Sequence, residues 1–257
     1  MGSGVPYVSW QDFLIIAHRG ASSYAPENTL AAFDLALQMG ACQLELDVHL
    51  TQDDFLVVIH DEVVDRTTDG TGAVTSYTLA ALQALDAGAW FGEAFVGARI
   101  PTLADVLACY QGRAHLHIEL KGRTAHLPQR TVDLVRTHSM VQHVIFTSFQ
   151  PAHLQTMQTY APELPTGWLV GEISDAVIAQ AQAMGCLQLC PRASLVTPEL
   201  VQRLHSEGFI VRAWGVANEA LMHQVVEAGA DGMTVNFPDK LLAYIAGRAS
   251  QSGKAPS

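Results

Sequence analysis

The segment that decides the fold is Ile16–Thr29, which reads IAHRGASSYAPENT. It begins inside the apolar run Leu14–Ala17, a pattern typical of a strand buried on both faces. It ends at the Asn28-Thr29 pair, which can cap a following helix. The segment therefore connects a parallel strand to a helix. His18 and Arg19 come at the carboxyl end of that strand, where parallel α/β sheets and barrels bind their ligands.

The next predicted strand carries acidic side chains on one face. Residues 42–50 read CQLELDVHL, and the alternation of a strand puts Glu45, Asp47 and His49 on one side and aliphatic residues on the other. An edge strand with one solvated face would also show this pattern. In a barrel, however, the acidic face points inward, and two close carboxylates repel unless a cation or a proton lies between them. We therefore predict metal binding by Glu45 and Asp47.

A third apolar run also ends in functional groups. Phe55–Ile59 is followed by His60 and Asp61, as the first run is followed by His18. Two strands that end in histidine would then flank one that carries two carboxylates. This arrangement favours a catalytic site over packing, because histidine moves protons near neutral pH and carboxylates bind hard cations.

The segment Ala114–Lys121, AHLHIELK, alternates fully between polar and apolar residues. Glu119 on its polar face can complete an oxygen-only metal site, and Lys121 can supply a positive charge for a phosphate oxygen. Two other interpretations remain open. The polar face can simply be solvated, and the His115-x-His117 spacing also fits a zinc site.

Several short motifs follow one another in a fixed order: HRG at 18–20, PENT at 26–29, ELD at 45–47, HD at 60–61 and ELK at 119–121. With these motifs the chain resembles the glycerophosphodiester phosphodiesterase family, of the bacterial cytosolic type. The resemblance continues through DRTT at 65–68, FTSF at 146–149, Trp214 and GADG at 229–232, and so covers residues 14–246. It implies an α/β fold, a (β/α)8 TIM barrel with a small insertion after the second strand.

The resemblance also implies a role for each site residue. His18 and His60 become the catalytic acid/base pair, while Glu45, Asp47 and Glu119 become ligands of one divalent cation, Mg²⁺ or Ca²⁺, with Mn²⁺ as a further candidate. Substrate-binding residues would be Arg19 and Lys121 at the phosphate, with Trp214 and Phe149 packing against the carbon skeleton.

The implied reaction is metal-dependent hydrolysis of glycerophosphodiesters to sn-glycerol 3-phosphate and an alcohol, by general acid-base catalysis. Three alternatives stay open. The first is phospholipase D-like cleavage of lysophospholipid or sphingolipid head groups, for which Ala89–Phe91 and Phe95 are the candidate apolar rim. The second is a zinc-dependent amidohydrolase that uses His115 and His117. The third is a noncatalytic anion-binding barrel.

The length of the chain and the positions of its glycine-rich segments predict one domain. The 257 residues are close to the length of one TIM barrel. We expect a single barrel domain over residues 1–249, with an insertion at about residues 61–101 that is rich in glycine. Residues 250–257, SQSGKAPS, are expected to form a flexible tail.

Composition bounds the partners. The net charge of −11, from 14 basic and 25 acidic residues, argues against nucleic acid and against stable association with an anionic membrane. A small-molecule substrate is expected, and the sequence leaves a homo-oligomer open. The four cysteines form no CxxC pair, and no leader or membrane-spanning pattern is visible, so we expect a cytoplasmic protein.

Overall fold

Eight parallel strands close into a barrel. The strand order is β1-β9-β8-β7-β6-β5-β4-β2, and pairing of β1 with β2 completes the ring. The computed structural model describes residues 13–251, and side chains up to residue 248. Its strands are β1 (Leu14–His18), β2 (Gln43–Leu50), β3 (Leu56–Val58), β4 (His115–Leu120), β5 (Val144–Ser148), β6 (Thr166–Val170), β7 (Gln188–Pro191), β8 (Ile210–Val216) and β9 (Gly232–Val235). The predicted TIM barrel is confirmed.

Helices surround the barrel and cover the outer face of its strands, except for one short helix, residues 79–84, in the segment after the second barrel strand. They are α1 (Leu30–Gln38), α2 (Leu79–Ala84), α3 (Leu103–Tyr110), α4 (Leu127–Thr137), α5 (Pro151–Tyr160), α6 (Asp175–Ala183), α7 (Pro198–Ser206), α8 (Glu219–Glu227) and α9 (Pro238–Gln251). The helices α6, α7 and α8 are each followed by a glycine with positive φ, at Gly185, Gly208 and Gly229.

One predicted strand lies outside the ring. β3 pairs antiparallel with the last residues of β2, Val48–Leu50, and is an extra strand after β2 rather than a member of the parallel barrel. Only residues 51–55 connect the two strands. A parallel crossover needs about a dozen residues or more, so this short link permits only an antiparallel return. An apolar run such as Phe55–Ile59 does not reveal the direction of its strand, which is why the sequence left this undecided.

The segment after β3 has its own small core. Val57 of β3 and Ile59, just after it, pack with Val64, Leu82 and Ile100. Two larger hydrophobic clusters lie between the barrel strands and the surrounding helices. The predicted insertion therefore packs onto the barrel through the short strand that precedes His60.

The turn after β1 depends on Gly20. Its φ is +83°, and a Cβ at this position would lie 2.5 Å from the carbonyl carbon of Ala32 in α1. Only glycine allows this approach of turn and helix. Thr29, not Asn28, caps α1, with its side chain accepting from the Ala32 amide.

The ends of the chain are only partly described. α9 continues to Gln251, and the rest of the predicted tail, residues 252–257, lies outside the described residues. No helix among residues 13–251 is long and apolar enough to cross a membrane.

Candidate active site

Three carboxylates from β2 and β4 lie close together. Each of Glu45, Asp47 and Glu119 offers one oxygen, and these oxygens lie within 4.8 Å of one another. All three residues are buried, and Asp47 Oδ1 has no hydrogen-bond partner. Buried carboxylate oxygens at this spacing are the ligands that hard divalent cations such as Mg²⁺ and Ca²⁺ prefer. The residues predicted from sequence alternation therefore form a group that could bind a divalent metal.

The electrostatics of this group favour a cation. Burial, together with Asp47 and Glu119, raises the pKa of Glu45 well above its usual value. Burial and the charge of Asp47 raise the pKa of Glu119 to about 7. Burial acts on Asp47 in the same direction, but Arg19 and Lys121 outweigh it and hold the pKa of Asp47 below its usual value. A bound cation would replace the protons that the two raised carboxyl groups otherwise take up.

The two predicted phosphate contacts are held by carboxylates. Arg19 Nη1 donates to Glu27 Oε1 over 2.7 Å, and Arg19 Nε lies 3.1 Å from Asp47 Oδ2. Lys121 Nζ donates to Glu119 Oε1 over 2.8 Å and lies 3.7 Å from Asp47 Oδ1. Both cations therefore lie beside the acidic group, where they offset part of its charge.

His18 faces the acidic group from the end of β1. Its Nδ1 donates to Asn236 Oδ1 over 2.6 Å, which leaves Nε2 on the side of Glu45, 3.9 Å from Oε2. Burial and the charge of Arg19 lower the pKa of His18 to about 4. The imidazole is therefore neutral at neutral pH in the absence of a ligand, and Asn236 sets its orientation.

His60 lies at the start of a chain of polar contacts. Its Nδ1 donates to Asp61 Oδ1 over 2.5 Å, and Arg66 Nε donates to Asp61 Oδ2 over 2.7 Å. Arg66 also donates twice to Glu27, over 2.8 Å each. Burial lowers the pKa of His60, whereas the hydrogen bond that His60 donates to Asp61 acts in the opposite direction. The carboxylate thus orients the ring as in other histidine–carboxylate pairs.

Sequence reasoning missed several of these supporting residues. Asn28 was assigned to the helix cap, but it has φ +58° and donates from Nδ2 to Asp47 Oδ2 over 2.8 Å. Glu27, Arg66 and Asn236 were not predicted as site residues at all. The motifs PENT and DRTT contain three of them, so membership in a motif was the available signal, whereas nothing marked Asn236.

Aromatic side chains form one wall of the site. The rings of Phe149 and Trp214 meet edge to face at 4.9 Å between centroids, and Lys121 Nζ lies 5.4 Å from the Phe149 ring. The indole Nε1 donates to the Val170 carbonyl over 3.0 Å. A cavity of about 190 Å³ brings the predicted residues together; its lining includes His18, Arg19, Glu45, His60, Glu119, Lys121, Phe149, Arg212 and Trp214.

The histidines of the zinc alternative lie elsewhere. His115 and His117 line a separate cavity of about 230 Å³ beside residues that precede β5, β6 and β7, at the opposite end of the barrel. His117 Nε2 bonds to Gln43 Oε1 over 2.8 Å. Among the side chains described, Glu45, Asp47 and Glu119 are the group at metal-binding spacing, and neither histidine belongs to it.

Fold and site together define a TIM barrel with a buried acidic group at the carboxyl ends of its strands. The family model of glycerophosphoryl diester phosphodiesterases matches residues 18–240. The chain belongs to this family, and the resemblance predicted from the sequence is confirmed.

Several relatives and solved structures are similar to this protein over most of its length. A glycerophosphodiester phosphodiesterase of Caldanaerobacter subterraneus is 38% identical, with 90% of this chain and 97% of the relative covered. One from Bacillus subtilis is 34% identical over 88% of this chain and 84% of its own. The crystal structure of an Oleispira antarctica phosphodiesterase in complex with its product sn-glycerol-3-phosphate is 32% identical; it covers 90% of this chain and 95% of its own, with a TM-score of 0.82.

Proposed function

We propose that this protein hydrolyses glycerophosphodiesters to sn-glycerol 3-phosphate and an alcohol. The observation that carries the proposal is a group of three buried carboxylates, two of which, Glu45 and Glu119, line one cavity together with two histidines. Membership of the family and the named product of the Oleispira antarctica relative support the same reaction.

Glu45, Asp47 and Glu119 would hold one divalent cation, Mg²⁺ or Ca²⁺, with Mn²⁺ as a third candidate. Asp47 Oδ1, which accepts no hydrogen bond, and the raised pKa of the other two carboxyl groups support this assignment. When bound, such a cation neutralises negative charge at a phosphoryl oxygen. The protein's part is to keep the carboxylates close together and shielded from water.

His18 and His60 would transfer the protons. One imidazole removes a proton from the nucleophile, and the other donates a proton to the departing alcohol; each such step is typically worth about 10²–10⁴-fold in rate. Both rings line the cavity, and each is oriented through its Nδ1, one by Asn236 and the other by Asp61.

Arg19 and Lys121 would share the negative charge of the phosphate, since both line the cavity beside the carboxylates. Phe149 and Trp214 would pack against the carbon skeleton of the substrate. Edge-to-face packing keeps the two rings in place, and the indole hydrogen bond restrains Trp214 further.

A coupled assay tests the reaction. The purified protein is incubated with glycerophosphocholine or glycerophosphoethanolamine, in EDTA or in Mg²⁺ or Ca²⁺, and released sn-glycerol 3-phosphate is measured. We expect release only with the cation. Release of phosphocholine or phosphoethanolamine instead would mean that the other ester bond is cleaved. No release of sn-glycerol 3-phosphate with any cation would refute the proposal.

The head-group alternative has one feature in its favour. Trp90 and Val96 on the inserted segment are 41% and 64% exposed, and Phe91 packs against Phe95. If these side chains touch a lipid surface, the protein should co-sediment with vesicles and cleave lysophosphatidylcholine. We expect neither, because the net charge of −11 opposes binding to an anionic membrane.

A further inference from the structure

A third positive side chain lines the active-site cavity. Arg212 projects from β8 and borders the same space as His18, Glu45 and Trp214. Its exposed fraction is only 1%, which makes it the largest fully buried side chain among the described residues. The cavity therefore has a fully buried arginine in its lining.

Arg212 differs from the two other cations of the cavity. Arg19 and Lys121 are each within ion-pair distance of two carboxylates. No carboxylate forms an ion pair with Arg212 within the described part of the chain, and its Nε and Nη2 have no hydrogen-bond partner. Two strong donors are thus left unused inside the barrel.

Such a group needs a partner. A buried charge without a counter-charge is strongly unfavourable, and the one side-chain hydrogen bond of Arg212, with the Cys190 thiol, leaves Nε and Nη2 unsatisfied. Glu45 is near enough for the Arg212 charge to lower its pKa, but the two are not in contact. An anionic ligand in the cavity would supply the missing partner.

The geometry points to Arg212 as a ligand-binding residue that donates Nε–H and Nη2–H to a phosphoryl oxygen of a ligand in the cavity. This inference rests on the proposed function, which places a phosphate ester there. The guanidinium fork matches phosphate oxygens, and the phosphate is the only charged part of sn-glycerol 3-phosphate. Arg19 and Lys121 are both paired with carboxylates, whereas Arg212 forms no ion pair with a described carboxylate and has two donors without a partner.

The test replaces Arg212 and measures phosphate binding directly. Arg212→Met keeps the length of the side chain but removes charge and donors, whereas Arg212→Lys keeps the charge and loses the fork. Binding of inorganic phosphate and of sn-glycerol 3-phosphate is followed by calorimetry in saturating Mg²⁺, and KM and kcat are measured for glycerophosphocholine. Arg136→Met is the matched control, since Arg136 is an exposed arginine on α4 paired with Glu163.

We expect Arg212→Met to weaken the binding of both ligands and to raise KM by about 10- to 100-fold, because a hydrogen bond between charged groups is lost. Arg212→Lys should lie between Arg212→Met and wild type. The melting temperature of Arg212→Met should stay level or rise, because an unpaired buried charge is removed. Arg136→Met should bind both ligands as wild type does.

Two results would overturn the inference. Unchanged phosphate affinity with tighter Mg²⁺ binding would mean that Arg212 only offsets the carboxylates. Weaker binding of sn-glycerol 3-phosphate with unchanged binding of inorganic phosphate would mean that Arg212 contacts the glycerol instead. If Arg212→Met does not fold, unchanged phosphate affinity of Arg212→Lys refutes the fork contact. Failure of the proposed function is separate, since it would appear as absent turnover in the wild-type protein.

Discussion

Replacing Asp61 by asparagine should slow the reaction without unfolding the protein. Asp61 accepts from His60 Nδ1 over 2.5 Å and from Arg66 Nε over 2.7 Å. Asp61→Asn keeps the shape of the side chain but removes its charge. Its amide can turn an NH₂ group toward His60, so the imidazole would lose the acceptor that fixes its tautomer.

The contacts set the size of the effect. A hydrogen bond to a charged group contributes about 1.5–3 kcal/mol, and tenfold in rate corresponds to about 1.4 kcal/mol. If the His60–Asp61 bond acts fully in the transition state, kcat should fall by about 10- to 150-fold. The carboxylate also raises the pKa of His60. Its loss should therefore move the pH limb that belongs to His60 toward lower pH.

The assay is the release of sn-glycerol 3-phosphate from glycerophosphocholine at saturating Mg²⁺, measured across pH. Glu62→Gln is the matched control, because Glu62 is the next residue and pairs with the exposed Arg123. The control should keep the wild-type kcat and pH profile. A wild-type kcat and profile for Asp61→Asn would refute the reasoning that Asp61 orients a catalytic His60.

Three further results are expected. His18→Ala and His60→Ala should each lower kcat by about 10²–10⁴-fold with an unchanged circular dichroism spectrum, and near-wild-type turnover of either would remove that residue from the mechanism. EDTA should abolish activity, and activity after full chelation would exclude the metal role. Glu119→Gln should raise the Mg²⁺ concentration for half-maximal activity by about tenfold or more, since one negative ligand is lost. Gly20→Ala should lower the free energy of unfolding by about 2–6 kcal/mol in urea titrations, because of the positive φ and the 2.5 Å approach to the Ala32 carbonyl carbon, and an unchanged midpoint would contradict that packing.

Much of the site was visible in the sequence because its residues follow simple local patterns. Glu45 and Asp47 are two residues apart on one strand, so alternation alone puts them on the same face. His18 and His60 each follow an apolar run. Glu119 lies on a different strand, β4, and the ordered motifs that resemble the family assigned it to the same site as Glu45 and Asp47.

The supporting contacts were hidden because they join distant parts of the chain. Asn236 lies 218 residues from His18, and Arg66 reaches Glu27 across 39 residues. Arg212 reads in the sequence as an ordinary position of a late strand. Only closure of the barrel turns its side chain into the same cavity as His18 and Glu45.

The sequence by itself determined which strands are buried, which of their faces are polar and which family the motifs resemble, because these properties depend on neighbours along the chain. The tertiary structure decided that β3 runs antiparallel, that Arg19 and Lys121 are paired with carboxylates and that Arg212 is not. These features depend on which side chains meet after the strands have closed into a ring. Which buried charges are paired depends on contacts between residues that are distant in the sequence, and a local sequence pattern does not contain that information.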